Sequence, residues 1–367
     1  MNIEVYLLIV CGLVIVKDII LFLLLQFNFK KGRKGDAPSE VPFVSILLAA
    51  RNEEQTIERC IKSLVDQHYP TDRYEILVGN DRSEDTTLQK LQSLKSHIDN
   101  LKIFDISKLI LEHWGKMNVL AQIGEDAKGD IFLLTDADTR LPRSWISTVV
   151  NQFKSGYGIL TGVTMLESST QFGQFQRMEW IHAIGMMKVV SDLNVKVSSI
   201  GNNMAISREA YKAVGGYAGI PFSITEDYEI YRQVCKKGYK SFHMFEEPIL
   251  AWSLPMGSFW QLIMQRKRWM FGAFRLPMAM LSLLILNGLY YIAIFWLLFL
   301  NFQLGIGVAA VKILFQSLFI GKGFSILRQS SGLLNWIWYE IYSAVVNLWS
   351  ISFFIIPIKV KWKGRKF

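Results

Sequence analysis

The run Leu133-Leu134-Thr135-Asp136-Ala137-Asp138 ends an apolar stretch in two carboxylates spaced one residue apart. On an extended backbone, residues i and i+2 point to the same side, so Asp136 and Asp138 are expected to project together beyond the buried part of a sheet. Two convergent carboxylates with open positions suit a hard divalent cation, Mg2+ or Mn2+, that also holds a phosphate. Alone the triplet is a weak signal: Asp-x-Asp arises by chance in about half of chains this long, and its plain alternative is a polar exit from a strand. A second constellation lies far along the chain. Gln265, Arg268 and Trp269 fall at i, i+3 and i+4 and would share one helix face. An indole platform beside a guanidinium fits a sugar packed on an aromatic face next to a pyrophosphate held by bidentate bonds. The competing account is a membrane-interface helix, where Trp and Arg are common; both hold if Arg266 and Lys267, turned elsewhere, meet lipid headgroups.

The elements that must position these groups read as an α/β domain. Residues 44–50 form a continuous apolar run of buried parallel-strand type, followed by Arg51-Asn52-Glu53-Glu54 and an amphipathic helix over about 56–66. A second strand at 74–79 exits into Asn80-Asp81-Arg82-Ser83-Glu84-Asp85-Thr86, a third covers 101–106, and a fourth at 131–135 delivers Asp136 and Asp138. Strand, polar turn and helix in repetition predict a doubly wound sheet with its ligand at the carboxyl ends of the strands. Glu53, Asp81, Asp136 and Asp138 then collect along one edge. Taken one at a time, Asp81 and Asp85 are explained by turn chemistry, and Lys116 by a solvated helix start.

The chain of 367 residues is 51% hydrophobic with 11 Trp and 24 Phe, and only 19% of it is charged, against about 25% in ordinary soluble domains. The apolar excess sits at the two ends, which predicts a membrane-attached protein with one large aqueous domain. Residues 1–29 are expected to form a retained transmembrane anchor, since 3–29 is long enough to span and lacks a basic n-region and a small-residue cleavage site. Lys17 and Asp18 interrupt it, either as a pair facing other helices, the simpler account, or as a functional intramembrane charge. Residues 276–358 hold two or three spans: 276–300 is strong, 304–320 is short and carries Lys312, and 336–358 carries Glu340 and Asn347. Lys30, Lys31, Arg33 and Lys34 and the basic residues of 359–367 should all stay cytoplasmic, which three crossings between them do not allow. The segment 304–320 is therefore expected to lie in the interface or re-enter rather than cross.

Residues 172–190, rich in Phe, Met and Trp, read as an interfacial helix, with His182 as a packing or surface residue. Cys11, Cys60 and Cys235 are an odd number without metal-ligand spacing, expected as structural thiols in a reducing cytosol. The formal charge of +9 is explained by the membrane flanks and anionic lipid, without a nucleic acid partner.

In order and spacing, Ala50-Arg51-Asn52-Glu53, Asn80-Asp81-x-Ser83-x-Asp85-x-Thr87, Gly115-Lys116-x-Asn118, Asp136-x-Asp138, Gly215-Gly216-Tyr217, Thr225-Glu226-Asp227 and Gln265-Arg266-x-Arg268-Trp269 resemble a membrane-bound family 2 glycosyltransferase with the GT-A fold. The resemblance covers about residues 41–272. It implies a cytoplasmic catalytic domain on the plasma (inner) membrane, a nucleotide sugar of UDP type as donor, and inversion at the anomeric centre. It further implies that Glu53 and Asp81 bind the nucleoside, that Lys116 lies near the phosphates, and that Asp136 and Asp138 handle ribose and the pyrophosphate, with Asp138 on the metal. Arg51 and Arg268 join the donor side, and Gln265 and Trp269 the acceptor side. Asn80 stands where the family often has a first Asp, which leaves the geometry around the nucleoside open.

By the same resemblance, Asp227 is the base that takes the acceptor's proton, with Glu226 as its substitute. The plain alternative is an acidic helix start capped by Thr225. The stretch Gly201-Asn202-Asn203-Met204-Ala205 marks an acceptor-side strand, with Asn202 or Asn203 as a guess for an acceptor ligand. The expected activity is inverting, metal-dependent transfer of a sugar to a membrane lipid or lipid-linked acceptor. A processive polysaccharide synthase is the competing enzyme. A non-catalytic membrane subunit or a transporter that kept the fold is the reading from another class; Lys17, Asp18, Lys312, Glu340 and Asn347 show none of the repeat symmetry a transporter would have.

Overall fold

A computed structural model describes residues 3–32, 41–112, 114–153, 156–273, 276–330, 335–356, 361–362 and 365–366. Helix α1 (Ile3–Phe27) precedes a strand and helix series: β1 (Val44–Ala50), α2 (Ile57–Val65), β2 (Tyr74–Asn80), α3 (Thr87–Lys95), β3 (Leu101–Asp105), α4 (Lys116–Glu125) and β4 (Ile131–Asp136). There follow α5 (Trp145–Phe153), β5 (Tyr157–Thr161), β6 (Thr164–Leu166), α6 (Gln171–Asp192), β7 (Met204–Ser207), α7 (Arg208–Ala213), α8 (Glu226–Lys236), β8 (Lys240–His243) and β9 (Ala251–Ser253). Four more helices are α9 (Phe259–Ala273), α10 (Met278–Leu300), α11 (Phe302–Ile326) and α12 (Trp336–Ile355). Arg33 and Lys34 and most of 359–367 lie outside the described residues.

The chain divides into two compact units. The first, Lys31–Glu167 with Ser198–Leu254, is built on a seven-stranded sheet in the order β3-β2-β1-β4-β7-β5-β8. All its pairs are parallel except those made by β7 with β4 and β5. This is the expected doubly wound α/β sheet. β1 is buried everywhere but Ala49, and β2 throughout, which is why neither sequence alternates apolar with polar. The strand order turns back between β1 and β4, the position where open α/β sheets take their ligands. Ala50 stands opposite Asn80 and Ala49 opposite Asp136, so β1, β2 and β4 end at one level. β6 and β9 form a separate parallel pair. Gly215 and Gly216 form the expected turn with φ of +76° and +61°, values that L side chains rarely adopt.

The second unit, Met1–Lys30, Ser168–Val197 and Pro255–Phe367, is helical in its described part apart from an antiparallel pairing of 361–362 with 365–366. Among the described residues three helices, Ile3–Phe27, Met280–Leu300 and Phe302–Ile326, are long and apolar enough to cross a membrane. The segment 304–320, expected to be too short, is thus the middle of a 25-residue helix, whereas α12, expected to span, is not among the three. Lys17 pairs with Asp18 at 2.8 Å and donates to Asn287 Oδ1 at 2.6 Å. Lys312 donates to Gln316 Oε1 at 2.6 Å and to the Glu340 carboxylate. These charges are matched within the helical unit, as the cost of exposing an unpaired charge to lipid requires. Residues 172–190 fall in α6, where His182 packs edge-on against Phe319. All three cysteines are free thiols and buried.

Candidate active site

Four charged side chains meet where β4 ends and α4 and α8 begin. Lys116 is the first residue of α4, Asp136 the last of β4, and Glu226 and Asp227 open α8. Lys116 Nζ lies 2.5 Å from Asp136 Oδ1 and 3.0 Å from Glu226 Oε1. Burial works against the charge of Lys116, but Asp136, Glu226 and Asp227 outweigh it and raise its pKa, so the ammonium stays protonated.

Asp227 is gripped through both oxygens: Oδ2 accepts from the Gly201 N–H and Oδ1 from the Tyr228 N–H, each at 2.8 Å. Burial, then the charge of Glu226, push its pKa up to about 6, while Lys116 and the two backbone N–H groups pull the other way. A carboxylate with that pKa is mostly ionised at neutral pH and still basic enough to take a proton. Thr225 makes no side-chain cap on α8; its hydroxyl meets Ser223 Oγ at 3.2 Å instead. The plain alternative of a Thr-capped acidic helix start therefore loses its cap. Gly201 permits the close approach. A Cβ there would sit 3.0 Å from Asp227 Cβ and 3.1 Å from Lys116 Nζ, pressing on both.

Asp136 and Asp138 depart from the expected arrangement. β4 stops at Asp136, and residues 137–138 form a turn in which the Thr139 N–H donates to Asp136 O at 3.0 Å. The argument from i and i+2 needs an extended backbone, which the turn removes. Asp136 faces Lys116, whereas Asp138 Oδ1 accepts from Thr139 Oγ1 and Oδ2 from Ser253 Oγ, both at 3.2 Å. Arg59 donates to the Asp138 carbonyl at 2.7 Å. Ser253 and Arg59 carry no sequence signal for this role, since only folding brings β9 and α2 to this turn. Among the described residues no group of three or more His, Cys, Asp or Glu is placed to hold a metal ion. The oxygen donors of Asp136 and Asp138 fit a cation shared with a diphosphate, because Mg2+ is commonly held by one or two carboxylates with phosphates completing its shell.

The other strand tips carry the remaining donor-side candidates. Arg51 donates to the carbonyls of Asp81 and Arg82 at 2.7 and 2.8 Å and pairs with Glu84 at 2.9 Å, bracing the loop after β2. Glu53 accepts from the Thr56 hydroxyl at 2.9 Å, and its N–H donates to Thr87 Oγ1 at 2.7 Å. Asp81 is buried at the end of β2, its N–H donating to Ala50 O at 2.8 Å. Asp85 accepts from Thr87 N–H at 3.0 Å, the turn chemistry allowed for it. Asn80 donates to Asp105 Oδ1 at 2.8 Å, which puts an unforeseen carboxylate beside the amide that replaces the family's acid.

Asn203 is not an exposed acceptor ligand. Its Oδ1 accepts from Trp145 Nε1 at 2.9 Å, and its Nδ2 donates to the carbonyls of Val163 and Ile249, also at 2.9 Å. Asn202 is buried too, its Oδ1 accepting from Thr164 Oγ1 at 2.8 Å. Both asparagines tie elements together.

Gln265, Arg268 and Trp269 belong to α9, in the helical unit. Trp269 is 37% exposed and Arg268 half-buried. Arg266 and Lys267, expected at lipid headgroups, are instead buried. Arg266 pairs with Glu179, and Lys267 Nζ donates to the carbonyls of Phe353 and Ile356 at 3.0 and 2.6 Å, satisfying the end of α12.

Comparison with known proteins gives a consistent answer. The profile of glycosyl transferase family 21 matches residues 7–367. A probable glycosyltransferase YdaM of Bacillus subtilis is 28% identical over 68% of this chain and 59% of its own length. A beta-monoglucosyldiacylglycerol synthase of Synechocystis is 27% identical over 66% of this chain and 50% of its own. A poly-beta-1,6-N-acetyl-D-glucosamine synthase of Staphylococcus epidermidis is 26% identical over 64% and 55%. The chain thus spans between half and three fifths of the length of these relatives. Among solved structures, a mannosyltransferase of Pyrobaculum calidifontis, in complex with GDP-Man and Mn2+, superposes with a TM-score of 0.63 at 16% identity over 96% of this chain and 99% of that one. That likeness supports the GT-A fold.

Proposed function

The chain belongs to glycosyl transferase family 21, and from that premise we propose that it transfers a sugar, with inversion, from a nucleotide donor to a membrane lipid or lipid-linked acceptor. The observation that carries this reading is Asp227: a half-buried carboxylate whose pKa is pushed up to about 6, beside Lys116 and Glu226 at the edge where β1, β2 and β4 end. In the proposed reaction the acceptor oxygen attacks the anomeric carbon and forms the new C–O bond. The C–O bond to the diphosphate breaks on the opposite face, and the hydroxyl proton passes to Asp227. Lys116 supplies permanent positive charge beside the departing diphosphate, where charge grows in the transition state. Asp138, together with Asp136, would hold a divalent cation, which would neutralise the same oxygens. Glu53, Asp81 and Arg51 would form the nucleoside side, Arg51 by bracing the loop that carries Asp81. By the sequence resemblance, Gln265 and Trp269 of α9 would serve the acceptor and Arg268 the donor.

The relative that makes a glucosyldiacylglycerol supports a lipid acceptor, and the poly-N-acetylglucosamine synthase keeps a polymer as the second reading. A processive enzyme needs a polar path for its chain through the bilayer. Three charges within the candidate spans are instead matched inside the helical unit, Lys17 by Asp18 and Lys312 by Glu340 of α12. Purified protein incubated with radiolabelled UDP-sugars and vesicles of its host lipid should place label in a chloroform-soluble product of one or a few sugars. High-molecular-weight glycan formed without added lipid would replace this reading with the polymer synthase.

A further inference from the structure

In the helical unit, α6, α9 and α12 share a polar knot around the buried Arg266, whose members Glu179, Arg266 and Tyr342 have no part in the transfer reaction as proposed. Arg266 Nε and Nη2 donate to Glu179 Oε1 and Oε2, both at 2.8 Å, and its Nη1 donates to Gln265 Oε1 at 2.7 Å. The Tyr342 hydroxyl donates to Glu179 Oε2 at 2.7 Å. Arg266 is 8% exposed, so its charge is matched by Glu179 rather than by water. The guanidinium carbon then lies 4.3 Å from the centre of the Trp269 ring. Trp180, next to Glu179 in sequence, meets the same indole edge-on with centroids 5.8 Å apart.

These contacts have a direction. A planar guanidinium held by a two-pronged carboxylate has little freedom, and leaving either charge unpaired in a buried place is costly. Glu179 comes from α6 and Tyr342 from α12, so two helices other than α9 fix the plane of Arg266. Arg266 in turn covers part of an indole that stays 37% exposed. Arg266 also holds the side-chain oxygen of Gln265, the other acceptor-side residue on α9.

We propose that Glu179 and Tyr342, acting through Arg266, are positioning residues that set the orientation of Trp269 and so the affinity for the acceptor. The link to acceptor affinity rests on the proposed role of Trp269; the positioning itself does not. Tyr342→Phe removes one hydroxyl and no charge, which keeps the risk of misfolding low. With full-length protein, UDP-glucose and dioleoylglycerol in phosphatidylglycerol vesicles as probes, Y342F should raise the acceptor KM about 5-fold and leave the donor KM unchanged. In a Trp269→Ala background the same change should have less than about 2-fold effect, because the group being positioned is gone.

A spectroscopic arm needs no acceptor. In protein labelled with 5-fluorotryptophan, the 19F resonance that disappears in Trp269→Phe should shift in Y342F and in Glu179→Gln. That resonance decides the positioning even if the chosen probes support no turnover. An unshifted resonance, or an equal KM effect in both backgrounds, overturns the proposal. A shifted resonance with an acceptor KM unaffected by Trp269→Ala leaves the positioning standing and removes Trp269 from the acceptor site.

Discussion

Asp227 is an ordinary side chain made useful by its neighbours. Half-buried next to Glu226 and restrained by Lys116, it has its pKa pushed up to about 6, so a reaction that needs its ionised form weakens in acid. We expect kcat/KM to be level above about pH 7 and to fall roughly tenfold per unit below about pH 6. Asp227→Asn should lower turnover at least about 100-fold while nucleotide binding, read by titration calorimetry, stays near that of the unaltered protein. Equal loss of both would make Asp227 a structural residue. Asp138→Ala should abolish the metal-dependent part of nucleoside diphosphate binding, an effect that excess chelator reproduces, while Asp136→Ala is milder. Full activity in chelator would remove the cation from the mechanism.

At the scale of elements, Asn203 shows how much of the catalytic edge depends on a buried clip. Through three side-chain hydrogen bonds it joins Trp145 on α5 to the carbonyls of Val163, between β5 and β6, and Ile249, just before β9. Asn203→Ala would leave an indole N–H and the Ile249 carbonyl unpaired, in a place that is 1% exposed, and would leave the Val163 carbonyl with the Ala251 N–H alone. A loss of about 3 kcal/mol follows. Thermal unfolding in detergent should show it as a drop of about 6–12 °C in Tm. A change within a degree or two would mean that water or a shifted backbone replaces those bonds. An Asn-Asn pair before a strand reads as a polar loop in sequence, because nothing local reveals that its partners come from three other places.

At the scale of the whole molecule, charge distribution favours a topology different from the one read along the chain. α10 and α11 are joined through Asn301 alone, an uncharged tip. Lys322 and Arg328 lie near the end of α11, and Lys359, Lys361, Lys363, Arg365 and Lys366 follow α12. If α1, α10 and α11 cross and α12 lies along the cytoplasmic face, every basic cluster, Lys30 and Lys31 included, stays inside. The conflict that had excluded 304–320 disappears. A cysteine at Asn301 should react with an impermeant maleimide on intact cells, and one within 359–367 only after permeabilisation. Labelling of both from outside would make α12 a span.

The strand and turn pattern, the carboxylates at the tips of β1, β2 and β4, and the long apolar helices α1 and α10 were legible along the chain, whereas the length of α11 was not. Each rests on local chemistry: buried parallel strands are continuously apolar, tips are polar, and spans are long. The same local reasoning carried an extended backbone through Asp138, whereas β4 ends at Asp136 and residues 137–138 turn. Which partners the charges would find was not legible. Lys116 lies 110 residues from Glu226, and Arg266 87 residues from Glu179. No periodicity encodes such pairings, since they arise when the sheet and the helices close around them. Arg266 and Lys267 had the composition of a lipid-facing surface, yet both are buried as internal ties. Sequence determined which residues were capable of this chemistry, through side-chain type and element period; tertiary structure decided their partners and hence their protonation, because burial and charge proximity are properties of three dimensions.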